Sequence, residues 1–144
     1  LGDPVSDHVT GWRRAMQESD LRTDGLVRGA PFNRFGAYSV ARDLLAEPDR
    51  PTALFCSTDD QAIGVLRAAR ELGLRVPDDL VVVGFDDIAE AAFADVPLTT
   101  VAADRAAIAE AAVELALERE PAAPGEVRVR SFPARRVVRR SCGC

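Results

Sequence analysis

Two clusters of oxygen-bearing side chains stand out in the 144 residues: Ser57-Thr58-Asp59-Asp60 and Asp86-Asp87. Each follows directly on an apolar run, PTALFC (51–56) and LVVVGF (80–85). A carboxylate in such a place can accept hydrogen bonds from sugar hydroxyls or amines, hold a divalent metal, or move a proton. Ser, Thr and Asp at a strand end also cap the helix that follows. Asp59 and Asp87 fit that capping and crevice-supporting role. Thr58 and Asp86 are then left with side chains free to meet a ligand.

The rest of the composition narrows the chemistry. All 18 basic residues are Arg, so a lysine phosphate loop, a Schiff base and a lysine general base are excluded. His8 is the single His, which removes most histidine triads and metal sites. No Gly-x-Gly-x-x-Gly occurs, so dinucleotide binding is not indicated. No Ser or Cys sits in a nucleophile elbow with a His to follow. A phospho-receiver domain would share the size and the acidic cluster, but it wants a lysine at a later strand end. Without a nucleophile–base pair, binding is expected rather than catalysis, with no cofactor and no metal.

The three cysteines are Cys56, inside an apolar run, and Cys142 and Cys144 at the end. An odd count of this kind is no secreted disulfide framework and fits a reducing, cytoplasmic setting. The terminal Cys-Gly-Cys could be redox-active or hold a soft metal, although its spacing is shorter than the usual zinc knuckle. Net charge is −5, which argues against a nucleic-acid surface on this chain. The charge is uneven: 12 Arg face 22 acids over residues 1–120, and 6 Arg face 1 acid over 121–144. Alternate arginines such as Arg128 and Arg130 suit the solvent side of an edge strand better than a phosphate site. No apolar run is long enough to span a membrane. The opening LGDPVSDH, with no basic-then-apolar leader, reads as an internal fragment or a processed product.

The elements that must position these residues alternate. Ser6 can cap a helix carrying Val9, Trp12 and Met16 at helical spacing. Residues 25–29 read as a short strand between glycines. Apolar positions 37, 40, 41, 44 and 45 give a helix closed by Glu47-Pro48. After the strand 51–56, Thr58 or Asp59 caps a helix with Ala62, Val65, Leu66, Ala69 and Leu72 on one face and Gly73 just past its end. The strand 80–85 is apolar on both faces, as a central parallel strand should be. A short helix over 87–93, an extended PLTTV (97–101) and an Ala-rich helix from Asp104 to about 118 follow. Pro-Ala-Ala-Pro-Gly (121–125) is a loop, and 126–130 and 136–138 are the last strand candidates. This alternation predicts an α/β fold with a parallel sheet between helices.

Residues 51–101 resemble the core of the LacI/GalR family. Three features carry the likeness in combination: the strand with QAIGVLRAARELGLRVPDDL, the VVVGFDD segment, and the Pro-Leu-Thr-Thr-Val crossover about ten residues later. It extends more weakly through GWRRAMQESDL (11–21) and VVRRS (137–141).

The resemblance implies a periplasmic-binding-protein-like effector domain, part of a two-subdomain clamp closing on a small polar metabolite. Residues 1–101 would form the C-terminal subdomain, 102–132 would cross into an N-terminal subdomain, and 133–144 would return as strand and tail. The rest of that subdomain, and a helix-turn-helix through which a homodimer would reach DNA, are expected to lie outside this sequence. The helix 104–118, apolar nearly all round, would then need another packing partner. The family's crevice acid falls on Asp86, and its Asn-Asp pair appears as Thr58-Asp59. Its Arg falls on His8, three residues before Gly11-Trp12. Its stacking aromatic is matched by Phe32, displaced by about one position. His8 has a helix-surface or capping role as its alternative, and Phe32 and Trp12 a place in the core. The rivals to a regulator are a solute-binding component of a sugar transporter and a sensor domain fused to a signalling module, with an enzyme last.

Overall fold

The computed structural model describes residues 7–117 and 129–144. In chain order the elements are α1 (Asp7–Glu18), α2 (Arg34–Leu45), β1 (Ala53–Phe55), α3 (Asp59–Glu71), β2 (Val81–Val83), α4 (Ala89–Phe93), β3 (Thr100–Ala103), α5 (Arg105–Leu117) and β4 (Ala134–Val137). A 3-10 turn, Arg140–Cys142, follows β4. The Ser6 cap, the loop at 121–125, Arg128 and most of the strand expected over 126–130 lie outside the described residues.

β1 and β2 pair in parallel, with Ala53 opposite Val81 and Phe55 opposite Val83. Thr99 bridges Val83 in the parallel sense, and the N–H of Gly84 donates to the Thr99 carbonyl at 2.9 Å, so β3 lies on the other side of β2. β4 then pairs antiparallel with β3, Thr100 opposite Val137 and Ala103 opposite Ala134. The α/β architecture expected from the alternation is present, with a parallel centre and one antiparallel edge.

The core forms where the small face of α3 meets this sheet. Ala62, Ala68 and Ala69 are fully buried and Val65 nearly so, against Leu80, Val82 and Leu98. Ala41 and Leu45 bring α2 onto the same cluster. Alanine at the contact positions lets two helices approach closely, and it costs no side-chain entropy. The ends of α3 and α5 follow the sequence cues, while the Asn33 cap of α2 was not foreseen. Asn33 accepts the Gly36 N–H at 2.9 Å to start α2, and Asp104 accepts the Ala107 N–H at 3.0 Å to start α5. Gly73, at φ 72°, ends α3.

The strand expected over 25–29 is absent. Residues 26–30 are irregular: the Leu26 N–H closes a turn onto Thr23 at 3.3 Å, and Leu26 and Val27 are 43% and 41% exposed. The three residues between Gly25 and Gly29 gain no strand neighbour there to repay their ordering. Val129 and Arg130 are likewise not in a strand; Arg130 instead reaches Glu114 of α5 at 2.5 Å. The bare face expected of α5 is observed. Only Ala111 on that helix is buried, while Val113 and Leu117 stand well exposed. No helix among the described residues is long and apolar enough to cross a membrane.

Candidate functional site

The condition for Thr58 and Asp86 to open onto one crevice is met, because their strands are parallel neighbours. The backbone is sewn together past the strand ends. Cys56 N–H donates to Val83 at 2.8 Å, Asp59 N–H to Phe85 at 2.7 Å, and Asp86 N–H to Val101 at 2.9 Å. Ligands of open α/β sheets collect at such carboxyl ends.

Asp86 and Asp87 have φ of 117° and 54°, in the region that favours glycine. Two such residues in succession store strain, which the bonds on either side must hold. Asp86 is fixed through its N–H to Val101. Asp87 is fixed through its carboxylate, which accepts from Arg139 Nη2 at 2.7 Å. Burial and the negative field of Asp59 raise the Asp86 pKa, while Arg105 and His8 pull it the other way. Arg105 itself donates to the Asp87 carbonyl at 3.1 Å.

His8 comes to this place from α1. Its ring meets Phe85 edge-on at 4.5 Å between centroids and Phe55 at 6.4 Å. The structure therefore brings His8 onto Phe85, the residue before Asp86, with Phe55 beside it. Sequence reasoning passed over Phe55 and Phe85 as strand interior. Their signal was position: each is the last or next-to-last apolar residue before a polar cluster. Arg105 was hidden as the first residue after a helix cap.

The roles foreseen for the remaining residues are redistributed. Thr58, expected to be free for ligand, is the N-cap of α3. Its Oγ1 accepts the Gln61 N–H at 3.2 Å and lies 3.5 Å from Gln61 Oε1. Asp59, expected as a cap, is fully buried and instead ties three elements together. It accepts from the Thr100 hydroxyl at 2.6 Å and from the Ile88 N–H at 3.0 Å. A residue inside the first turn can turn its carboxylate into the sheet, whereas the Thr before it already supplies the cap. Asp87 caps nothing either, since Ile88 holds the N-cap position of α4 and no side chain caps it; Asp87 serves as the partner of Arg139. Phe32 is 74% exposed rather than in the core. Its loop is fastened to α3 by Gln61, whose Nε2 donates to the Pro31 carbonyl at 3.1 Å and the Ala30 carbonyl at 3.4 Å.

The chemistry available here is recognition. Cys56, behind the strand ends, has its pKa pushed up to about 12 by burial and by Asp59, so its thiol stays protonated and unreactive. Among the described residues no group of three or more His, Cys, Asp or Glu is placed to hold a metal ion. A separate groove of about 1070 Å³ runs along the far part of α3, lined by Phe35, Tyr38, Ile63, Leu66 and Phe93 among others. It shares no lining residue with the strand-end site.

Residues 6–142 match the family described as "Periplasmic binding protein-like domain". The chain is 36% identical over 116 residues to the HTH-type transcriptional repressor PurR of Pectobacterium atrosepticum, covering 79% of this chain and 34% of that protein. It superposes on a LacI-family regulator from Sanguibacter keddieii with TM-score 0.84 and 33% identity, covering 95% of this chain and 53% of that one. A LacI-family regulator from Lactobacillus casei, solved with bound glucose, gives TM-score 0.77 and 28% identity over 93% of this chain and 49% of its own. The chain thus spans about a third of the curated relative's length and about half of each solved structure. It belongs to the periplasmic-binding-protein-like domain family, as a part of that domain in its LacI-regulator form.

Proposed function

We propose that this chain is the effector-sensing part of a transcriptional regulator and binds a sugar or a related small polar metabolite at its strand ends. The observation that carries the reading is the packing of the His8 ring on Phe85, the residue before Asp86, with Phe55 alongside at the end of the neighbouring parallel strand. A carboxylate accepts from paired hydroxyls, the imidazole offers a donor or an acceptor, and aromatic rings cover the apolar face of a sugar. The glucose held by the Lactobacillus casei relative supports the ligand class.

In the intact protein the remaining half of the clamp closes over these residues. The ligand then acts by binding one subdomain orientation better than the other, since equal affinity for both would shift nothing. The regulator works in the cytoplasm as a homodimer, and DNA is met by a helix-turn-helix outside this chain. The α3 groove, with Phe35 and Phe93 standing 79% and 89% exposed, is the face for the second copy.

The test is isothermal titration of the full-length protein against neutral mono- and disaccharides, glucose and sucrose among them, and nucleosides. At least one is expected to bind, with Asp86→Ala losing that affinity without loss of fold. An effector that binds Asp86→Ala as tightly as it binds the parent protein sinks the site.

A further inference from the structure

The one chemistry-bearing motif that ligand sensing does not use is the terminal Cys142-Gly143-Cys144. In the structure it is an ordered feature. Gly143, at φ 69°, turns the chain back on itself, so that the Cys144 N–H donates to the Cys142 sulfur at 3.2 Å. The Cys144 thiol donates to the Cys142 carbonyl at 3.7 Å, and the Cys142 thiol donates to the Arg139 carbonyl at 3.6 Å. Both thiols are free, Cys142 half-buried and Cys144 exposed. The turn beneath them is anchored: Ser141 is fully buried, and its hydroxyl donates to the Val82 carbonyl at 2.6 Å and accepts the Thr99 N–H at 2.8 Å.

We infer that Cys142 and Cys144 form a reversible dithiol–disulfide centre that exchanges with a low-molecular-weight disulfide. The two sulfurs have unequal parts. Desolvation works against the Cys142 thiolate, but hydrogen bonds from the Cys144 thiol, the Thr99 hydroxyl and the Cys144 N–H outweigh it and lower the Cys142 pKa. Cys144 moves up, because it donates to that sulfur and because burial disfavours its charge. With the Cys144 N–H donating to its sulfur on an anchored turn, Cys142 is the attacking thiolate, and Cys144, exposed beside it, is the resolving thiol.

The reaction balances in two steps. The Cys142 thiolate attacks one sulfur of the small disulfide, whose S–S bond breaks; the departing thiolate takes up the proton that Cys142 gave. The Cys144 sulfur, losing its proton, then attacks Cys142 in the mixed disulfide and expels the second thiolate, which takes that proton. Two protein thiols are oxidised by two electrons, and one small disulfide is reduced to two thiols. Cys56 takes no part, because burial keeps it protonated.

The test is quantitative thiol alkylation and intact-mass measurement of the full-length protein equilibrated in oxidised and reduced glutathione. The double variant Cys142→Ser/Cys144→Ser sets the background from all other thiols. The expected result is loss of two titratable thiols relative to that background, with no glutathione retained and full recovery on reduction. Either single variant, Cys142→Ser or Cys144→Ser, should form no internal disulfide, and Cys144→Ser should hold a glutathione adduct on Cys142. Retention of both thiols in a fully oxidising buffer overturns the proposal, and so does a stable glutathione adduct on the parent protein.

Discussion

Asp59 of α3 and Thr100 of β3 meet through a fully buried hydrogen bond of 2.6 Å, and the same carboxylate takes the Ile88 N–H at 3.0 Å. One side chain thus fixes the start of α3, the entry to α4 and the strand beyond β2. The Asp86 turn hangs between these three points. Thr100→Val removes the hydroxyl and keeps the shape, leaving one carboxylate oxygen short of a donor in a dry place. The expected cost is about 1–3 kcal/mol in chemical denaturation, with an unchanged slope against denaturant.

Gly84 lies directly behind that carboxylate. A Cβ on it would collide with Asp59 Oδ1 and press on Leu98 Cδ2 at 3.1 Å. Gly84→Ala must therefore push Asp59 off Thr100 and Ile88. It is expected to lower stability more than Thr100→Val and to weaken effector affinity as well. Titration calorimetry beside denaturation checks both halves, and an Ala variant with normal stability would show that Asp59 is free to move.

Ser141 is the corresponding staple from the far end of the chain. Ser141→Ala leaves the Val82 carbonyl of β2 and the Thr99 N–H just before β3 without their partner. A loss of about 1–3 kcal/mol per stranded group is expected. Ser141→Cys, keeping a weak donor at that place, should recover part of it.

Much of this was legible beforehand, and what was missed has a physical pattern. Helix α3 declared itself by period and cap, α2 by period and α5 by its cap, because a burial stripe and a capping residue are local properties. The strand at 25–29 looked like its neighbours, yet a strand exists only if a partner accepts its hydrogen bonds, and no sequence window records that partner. Thr58 and Asp59 show the same limit at one site. Two adjacent residues were both able to cap, and only the position of Thr100, 41 residues later, decides which one turns inward. His8 and Phe85 meet across 77 residues; the family likeness put His8 among the site residues, but nothing in the sequence pointed to Phe85 as its neighbour.

Acidity separates two carboxylates. The Asp86 pKa is raised on folding, so the folded chain holds its proton more tightly than the unfolded one. Ionising Asp86 then costs stability, a cost absent below the ordinary aspartate range and complete above its raised folded value. Asp79 runs the other way. The Arg75 side chain and N–H donate to it and hold its pKa at about 2, so its contribution is present above the ordinary value and lost as pH falls towards 2. Asp86→Asn should gain on the parent protein as pH rises through the first window. Asp79→Asn should fall behind it everywhere except at the acid end. Urea midpoints measured across that range test both signs.

The groove on α3 makes the last prediction. Phe35 and Phe93 are the most exposed large apolar side chains along it, and the ion pairs Arg67–Glu71 and Arg70–Asp95 hold both charge signs at its rim. A surface with an apolar centre and both signs at its edge can meet its own copy about a two-fold axis, each cation finding the other's acid. Phe93→Glu places an unpaired charge at the centre of such a contact while disturbing nothing buried in the monomer. The full-length variant is expected to sediment as a monomer, to keep its effector affinity and to lose tight binding to a two-fold DNA site. An unchanged dimer would move the second copy to another face, for which the bare residues of α5 are the next surface to alter.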